Sequence, residues 1–229
     1  MFHEKERGVS YGAETDFNSS EVWRGILLDN APVAEPSAWI SAHGFTFTAW
    51  RNLPLTSTQA SVHLHTTDLA LAYIYDWNKL RIEPAVDVYF NQPVGGIHDP
   101  NTMEASLKFS YPIGPLRIFL SNSFDVLAYR GALFGEIGLS YSGKLTKSTE
   151  LSVSTSAGWA SAKFNAAYIG PREPALNVIE CGGSLIYHVQ QHLYFQPHIE
   201  FSHILDPRLR EYLSHPTVVN FGLAVGLDF

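Results

Sequence analysis

The chain of 229 residues has a single cysteine, Cys181, so it can form no internal disulfide and offers no cysteine metal spacing. Cys181 precedes Gly182 and Gly183 and reads as a small residue on a crowded strand. Long hydrophobic runs are also missing: nowhere do eighteen apolar residues follow one another, which excludes a transmembrane helix. Cations are scarce, with 15 Lys and Arg against 22 Asp and Glu and a formal net charge of −7. Phosphate binding needs clustered Lys and Arg, so this balance argues against a nucleic-acid partner. Glycine-rich phosphate cradles and Walker-type loops are absent. The start, Met1-Phe2-His3-Glu4-Lys5, lacks the apolar core of a signal peptide. No linker-like stretch divides the chain, which predicts one domain over 1–229 with 1–8 as an N-terminal tail.

Aromatic residues, by contrast, are plentiful at 13%, with 14 Phe, 11 Tyr and 5 Trp. Their placement follows a strict rhythm. In the last stretch, Thr217 to Phe229, Val219, Phe221, Leu223, Val225, Leu227 and Phe229 share one parity. Asn220, Gly222, Ala224, Gly226 and Asp228 share the other. Successive strand side chains point to opposite faces, so one face is apolar and the other small or polar. The same alternation recurs upstream. Leu80, Ile82, Val86, Val88 and Phe90 oppose Arg81, Glu83, Asp87 and Tyr89, and Met103, Ala105, Leu107 and Phe109 oppose Glu104, Ser106 and Lys108. A mean hydropathy of −0.03 hides this pattern because the two faces average out.

Counting gives about twelve strands. The turns near residues 43, 78, 113, 146 and 190 are short, and the connections near 30, 58, 96, 172 and 210 are mostly longer. Ile26 to Pro36, with two prolines and an Asp-Asn pair, reads as a loop, as do Leu53 to Ser61 and Gln92 to Asn101. A soluble barrel would carry its polar face outward. Here the polar side is rich in Gly, Ala and Ser, as a confined interior would be, and the apolar side is too continuous for water. The expected fold is therefore an all-β, antiparallel transmembrane β-barrel of the outer membrane. Short periplasmic turns, longer extracellular loops and both termini in the periplasm complete that expectation. Such a barrel must be exported, so a removed signal sequence is expected.

The stretch Ser19 to Leu53 resembles the start of the TorF-like porin family of Gram-negative bacteria. The resemblance rests on Val22-Trp23-Arg24-Gly25, on the loop Asp29 to Ser37 with its two prolines, and on Trp50-Arg51-Asn52-Leu53. It departs at Asn30 and Ala31, where an Asp-Gly turn is more usual. The resemblance implies an outer-membrane location among lipid and lipopolysaccharide. It also implies that Phe229, with Leu227 and Val225, is the terminal signal read by the barrel-assembly machinery. It names no solute and no partner protein.

Parity assigns a candidate pore lining: Arg81, Glu83, Asp87, Glu104, Lys108, Arg117, Asp125, Glu136, Glu180, His198 and Glu200. Asp68, Asp76, Glu150, His188 and Asp228 fall on the same face. Acids outnumber bases, which would give a water-filled pore a negative potential and a preference for cations. The alternative is an interior filled by ion pairs and side chains, acting structurally or docking a partner. Arg81, Lys108 and Arg117 on three successive strands, near Glu83, Glu104 and Asp125, would serve either reading. An enzyme is disfavoured, because Ser202 and His203 are adjacent and would point to opposite strand faces. His63 and His65 do not complete a metal site, and no cofactor is expected.

Overall fold

The structure, a computed structural model, describes residues 8–56, 65–91 and 99–229. Its first strands are β1 (Val9–Asn18), β2 (Glu21–Trp23), β3 (Ile26–Asp29), β4 (Val33–Ala42), β5 (Phe45–Arg51) and β6 (Leu53–Pro54). Next come β7 (His65–Tyr73), β8 (Tyr75–Trp77), β9 (Leu80–Asn91), β10 (Thr102–Ile113) and β11 (Leu116–Asp125). The last are β12 (Leu133–Lys144), β13 (Thr149–Ala160), β14 (Ala175–His188), β15 (Leu193–Ile204) and β16 (Thr217–Asp228). Two short helices, α1 (Ala162–Tyr168) and α2 (Pro207–Arg210), lie in the connections that follow β13 and β15.

Each long strand pairs antiparallel with its neighbours, and β1 pairs with both β16 and β4, so the sheet closes on itself. The short β6 sits beside β4 and β8 extends β7 along β9; setting these aside, the circuit is a closed 12-strand barrel. Closure leaves the circuit of strands without an open edge, a requirement of a sheet in hydrocarbon. From β9 to β16 the strands run 10 to 14 residues, enough for the roughly 9–11 tilted residues that cross a bilayer.

The alternation resolves into an outer and an inner face. Phe45, Phe47, Leu71, Leu120, Ile137, Ile199 and Phe221 are exposed on the outside. A continuous apolar belt of this kind suits lipid and not water. Inside, glycine makes room for inward aromatic rings. A Cβ at Gly138 would lie 2.5 Å from the Phe119 ring, and one at Gly226 would lie 2.3 Å from the Tyr194 ring. The small-residue face is thus the face on which large rings lie flat.

One rim carries the short turns. His43 and Gly44 (φ 54° and 88°) close the β4–β5 hairpin in the left-handed region that two-residue turns demand. The start of β1 and the end of β16 meet at this rim, where Tyr11 and Phe229 exchange backbone hydrogen bonds of 3.1 and 2.9 Å and stack at 5.4 Å. Val225 and Leu227 stand opposite Thr15 and Ala13 on β1, so the terminal strand is the closing strand. The other rim carries the long connections.

One expectation needs correction. Ile26 to Pro36 is not a loop: Ile26–Asp29 is β3, paired with β2, and Val33–Ala42 is one continuous barrel strand that includes Pro36. The connection near Tyr129 is longer than a tight turn, spanning residues 126–132 between β11 and β12. The charged segment from Asp206 is partly helical, with Leu209 buried beneath it. Most of Gln92 to Asn101, part of Leu53 to Ser61, and His63 lie outside the described residues.

Candidate functional site

The β2–β3 hairpin turns at Arg24 and Gly25 (φ 52° and 76°) and folds across the long-loop mouth of the barrel. A Cβ on Gly25 would lie 2.4 Å from a methyl of Val178, so glycine permits the tip to rest directly on the wall. Behind it, Ile26 and Leu28 join Ala132, Phe134, Ala160, Phe164, Tyr168, Val178, Ile204 and Leu209 in one buried cluster. Each such fully buried large side chain contributes about 1.5–3 kcal/mol. The cluster draws on the hairpin, four wall strands or their ends, and both helices. Ser161 caps α1 by accepting from the Phe164 amide at 3.3 Å, which sets Phe164 and Tyr168 into the cluster. Asn165 and Asn177, both fully buried, exchange side-chain hydrogen bonds of 2.7 and 3.3 Å and tie the helix to β14.

Polar contacts fasten the rest of the hairpin. Arg24 donates twice to Glu104 on β10, at 2.9 and 2.5 Å, and Tyr89 donates to the same carboxylate at 3.2 Å. The guanidinium lies 4.3 Å from the Trp23 ring centre, 4.7 Å from Phe134 and 5.5 Å from Phe164. Asn52 donates to Glu21, and the Ser20 amide donates to Asn220 on β16 at 3.2 Å. The hairpin therefore touches the wall on several sides of the circuit.

Beneath it lies a cavity of about 280 Å³ lined by Val22, Glu136, Ser154, Ser156, Glu180, Glu200, Ser202 and Asn220, among others. Glu180 is within electrostatic reach of both Glu136 and Glu200. Across the barrel, Glu35 is similarly close to Asp16 and Glu200, and Asp68 to Asp87 and Glu104. A larger cavity of about 950 Å³ opens at the short-turn rim, lined by Arg81, Arg117, Lys144, Glu150, His188 and Asp228 among others.

The structure distributes the sequence-predicted residues unevenly. Glu136, Glu180 and Glu200 meet at the chamber. His198 sits 3.0 Å from Asn18 and 3.6 Å from Asp16 on the opposite side of β16. Of the expected ladder, Glu83 lies within electrostatic reach of Arg81 and in register with Lys108, while Glu104 and Asp125 take other partners. Lys108 is opposite Glu83 in register and lies over the Phe119 ring at 4.9 Å. Arg81 pairs with Asp76 at 2.9 Å, and Arg117 donates to Ser110 at 3.1 Å. Asp87 stands opposite Glu104, but the partner of Glu104 is Arg24. Asp125 accepts from the Leu127 and Tyr129 amides at 2.9 Å and from Thr102 at 2.5 Å, so it shapes its own loop.

Arg24 is the residue that strand parity could not find, because it lies on no barrel strand. Its signal was local: an arginine between Trp23 and Gly25, followed by the apolar Ile26-Leu27-Leu28, is poor material for a solvated loop. Adjacent Ser202 and His203 do part to opposite faces; Ser202 is buried, and His203 contacts Thr217 at 2.7 Å.

No family model matches the chain, and neither does any curated protein. Among solved structures, the KdgM porin aligns with a TM-score of 0.54 at 12% identity, covering 96% of this chain and 99% of that one. The NanC porin gives 0.55 at 11% identity, covering 96% and 98%. The translocator domain of the autotransporter NalP from Neisseria meningitidis gives 0.53 at 13% identity, covering 100% and 90%. At these identities the likeness is one of fold, and the fold is that of outer-membrane barrels.

Proposed function

We propose that the protein is a narrow, cation-preferring channel of the outer membrane, related to the TorF-like porins, whose mouth is governed by the β2–β3 hairpin. The observation that carries this reading is the inward carboxylate excess around the chamber, from Asp16 and Glu35 through Asp68 to Glu136, Glu180 and Glu200. Inside the long-loop half, the described residues set against it Arg24 and the imidazole of His198. A negative potential in a confined, low-dielectric space concentrates small cations and repels anions. The KdgM porin is also known in complex with disordered oligogalacturonate, a polyanion. The interior here carries the wrong sign for a polyanion. Passage requires the hairpin tip to leave the mouth. In the orientation typical of such barrels, the short-turn rim with both termini is periplasmic and the long loops are extracellular.

The apolar cluster in the mouth favours a second reading, a permanently filled barrel that serves as a structural or partner-binding protein. Single-channel recording in a planar bilayer under a salt gradient separates the two. Small cation-selective openings are expected. A silent bilayer from protein that migrates as a folded, heat-modifiable barrel would overturn the channel and leave the filled barrel.

A further inference from the structure

The Arg24 contacts have the form of a receptor. Glu104 presents both carboxylate oxygens to one planar guanidinium, at 2.9 and 2.5 Å, and its side chain is 3% exposed. A two-point carboxylate fork matches guanidinium geometry and not that of a spherical ammonium. Tyr89 donates to Glu104 at 3.2 Å, which holds the fork in place whether or not a cation occupies it. Phe134 from β12 and Phe164 from α1 add ring faces at 4.7 and 5.5 Å. None of these four side chains belongs to the hairpin, so the pocket persists when the arginine side chain is cut back.

We propose that the long-loop mouth is a guanidinium-binding site, built by Glu104, Tyr89, Phe134 and Phe164, which the chain fills with its own Arg24. The tethered side chain is present at an effective concentration on the order of millimolar or more. A free guanidinium compound must exceed that level, or bring extra contacts of its own, to displace it. Displacement would release the hairpin tip, so the ligand class that unlatches the mouth is a cation bearing a guanidinium group. This deepens the channel reading by naming its regulation, yet binding can be measured without any current.

The test is titration of methylguanidinium, followed by saturation-transfer NMR, on the full chain refolded in detergent. Wild type is compared with Arg24→Ala, Arg24→Gln and the double variant R24A/E104Q. Heat-modifiable migration checks that each has folded, and the glutamine variant serves if alanine does not refold. Expected is millimolar binding to the vacated pocket, as suits a ligand of a few heavy atoms, and at least tenfold weaker binding to wild type. Loss of binding in the double variant, and weaker binding of tetramethylammonium than of methylguanidinium, are also expected. Equal binding to wild type and Arg24→Ala, or retained binding without Glu104, would overturn the proposal. A silent bilayer with the expected binding would count against the channel reading alone.

Discussion

At the short-turn rim the interior widens into a cavity of about 950 Å³, where Arg81, Arg117 and Lys144 stand near Glu150 and Asp228. At the long-loop rim the same circuit of strands ends in a packed cluster of Ile26, Phe134, Phe164, Val178 and Ile204, with carboxylates gathered just below. The rims differ because their connections differ. Two-residue turns such as His43-Gly44 have no side chains to spare for the lumen. The connection from Asn18 to Val33 is long enough to fold back as a hairpin and bring its own apolar residues. Closure of one end is a property of an inserted element, and the barrel wall alone would leave both ends polar.

The two rims should become most alike if the inserted element is removed. Replacing Glu21 to Asp29 by a short Gly-Ser link should leave a folded barrel whose single-channel conductance is severalfold above wild type. Unchanged conductance would mean that the hairpin does not control passage. Next in size is Val178→Asp, which places a carboxylate against the Gly25 tip in an apolar setting. A buried charge without a partner costs about 3–5 kcal/mol, so the β2–β3 amides should exchange at least roughly a hundredfold faster while the wall amides stay protected. Equal protection would show that the cluster is not what seats the hairpin.

The charge contrast predicts a smaller, asymmetric effect. Changing Glu136, Glu180 and Glu200 together to Gln should move the reversal potential in a salt gradient toward zero. Arg117→Gln at the other rim should leave it nearly where it was. Comparable shifts from both would dissolve the distinction between the halves. The smallest effect concerns α2. Hydrogen bonds from Arg208, with its positive charge, hold the Asp206 carboxyl at about 2, below its ordinary value of 3.8. A depressed carboxyl stabilises the fold above its unfolded pKa and loses that contribution as pH falls through the folded value. The exposed segment around Leu209 should thus stay ordered at pH 4 and loosen below about pH 3. Asp206→Asn should abolish that acid transition in NMR shifts of the Leu209 amide.

Much of the wall was legible because a strand has a period of two and a closed barrel repeats it around the circuit. Leu107 outward beside Lys108 inward, or Phe221 beside Gly222, needs no tertiary information. The mouth was not legible in the same way. β2 and β3 have 3 and 4 residues, too few for a periodic signal, and Pro32 and Pro36 nearby read as loop punctuation. Asp125 has lumen parity but sits at a strand end, where loop amides compete for its oxygens and win. Glu104 was named as a pore charge, but its partner, Arg24, comes from 80 residues away and from outside the barrel sheet. Parity assigns a side chain to a face and is silent about what is folded against it.

The claim that conduction requires the hairpin tip to leave the wall can be tested by tethering it. A Cβ on Gly25 would stand 3.2 Å from that of Val178, just under the roughly 3.5–4.5 Å of a disulfide. Gly25→Cys with Val178→Cys, in a Cys181→Ser background, should give a channel that is silent when oxidised and conducts again on adding reductant. The same current in both redox states, with the cross-link verified by mass spectrometry, would contradict the account.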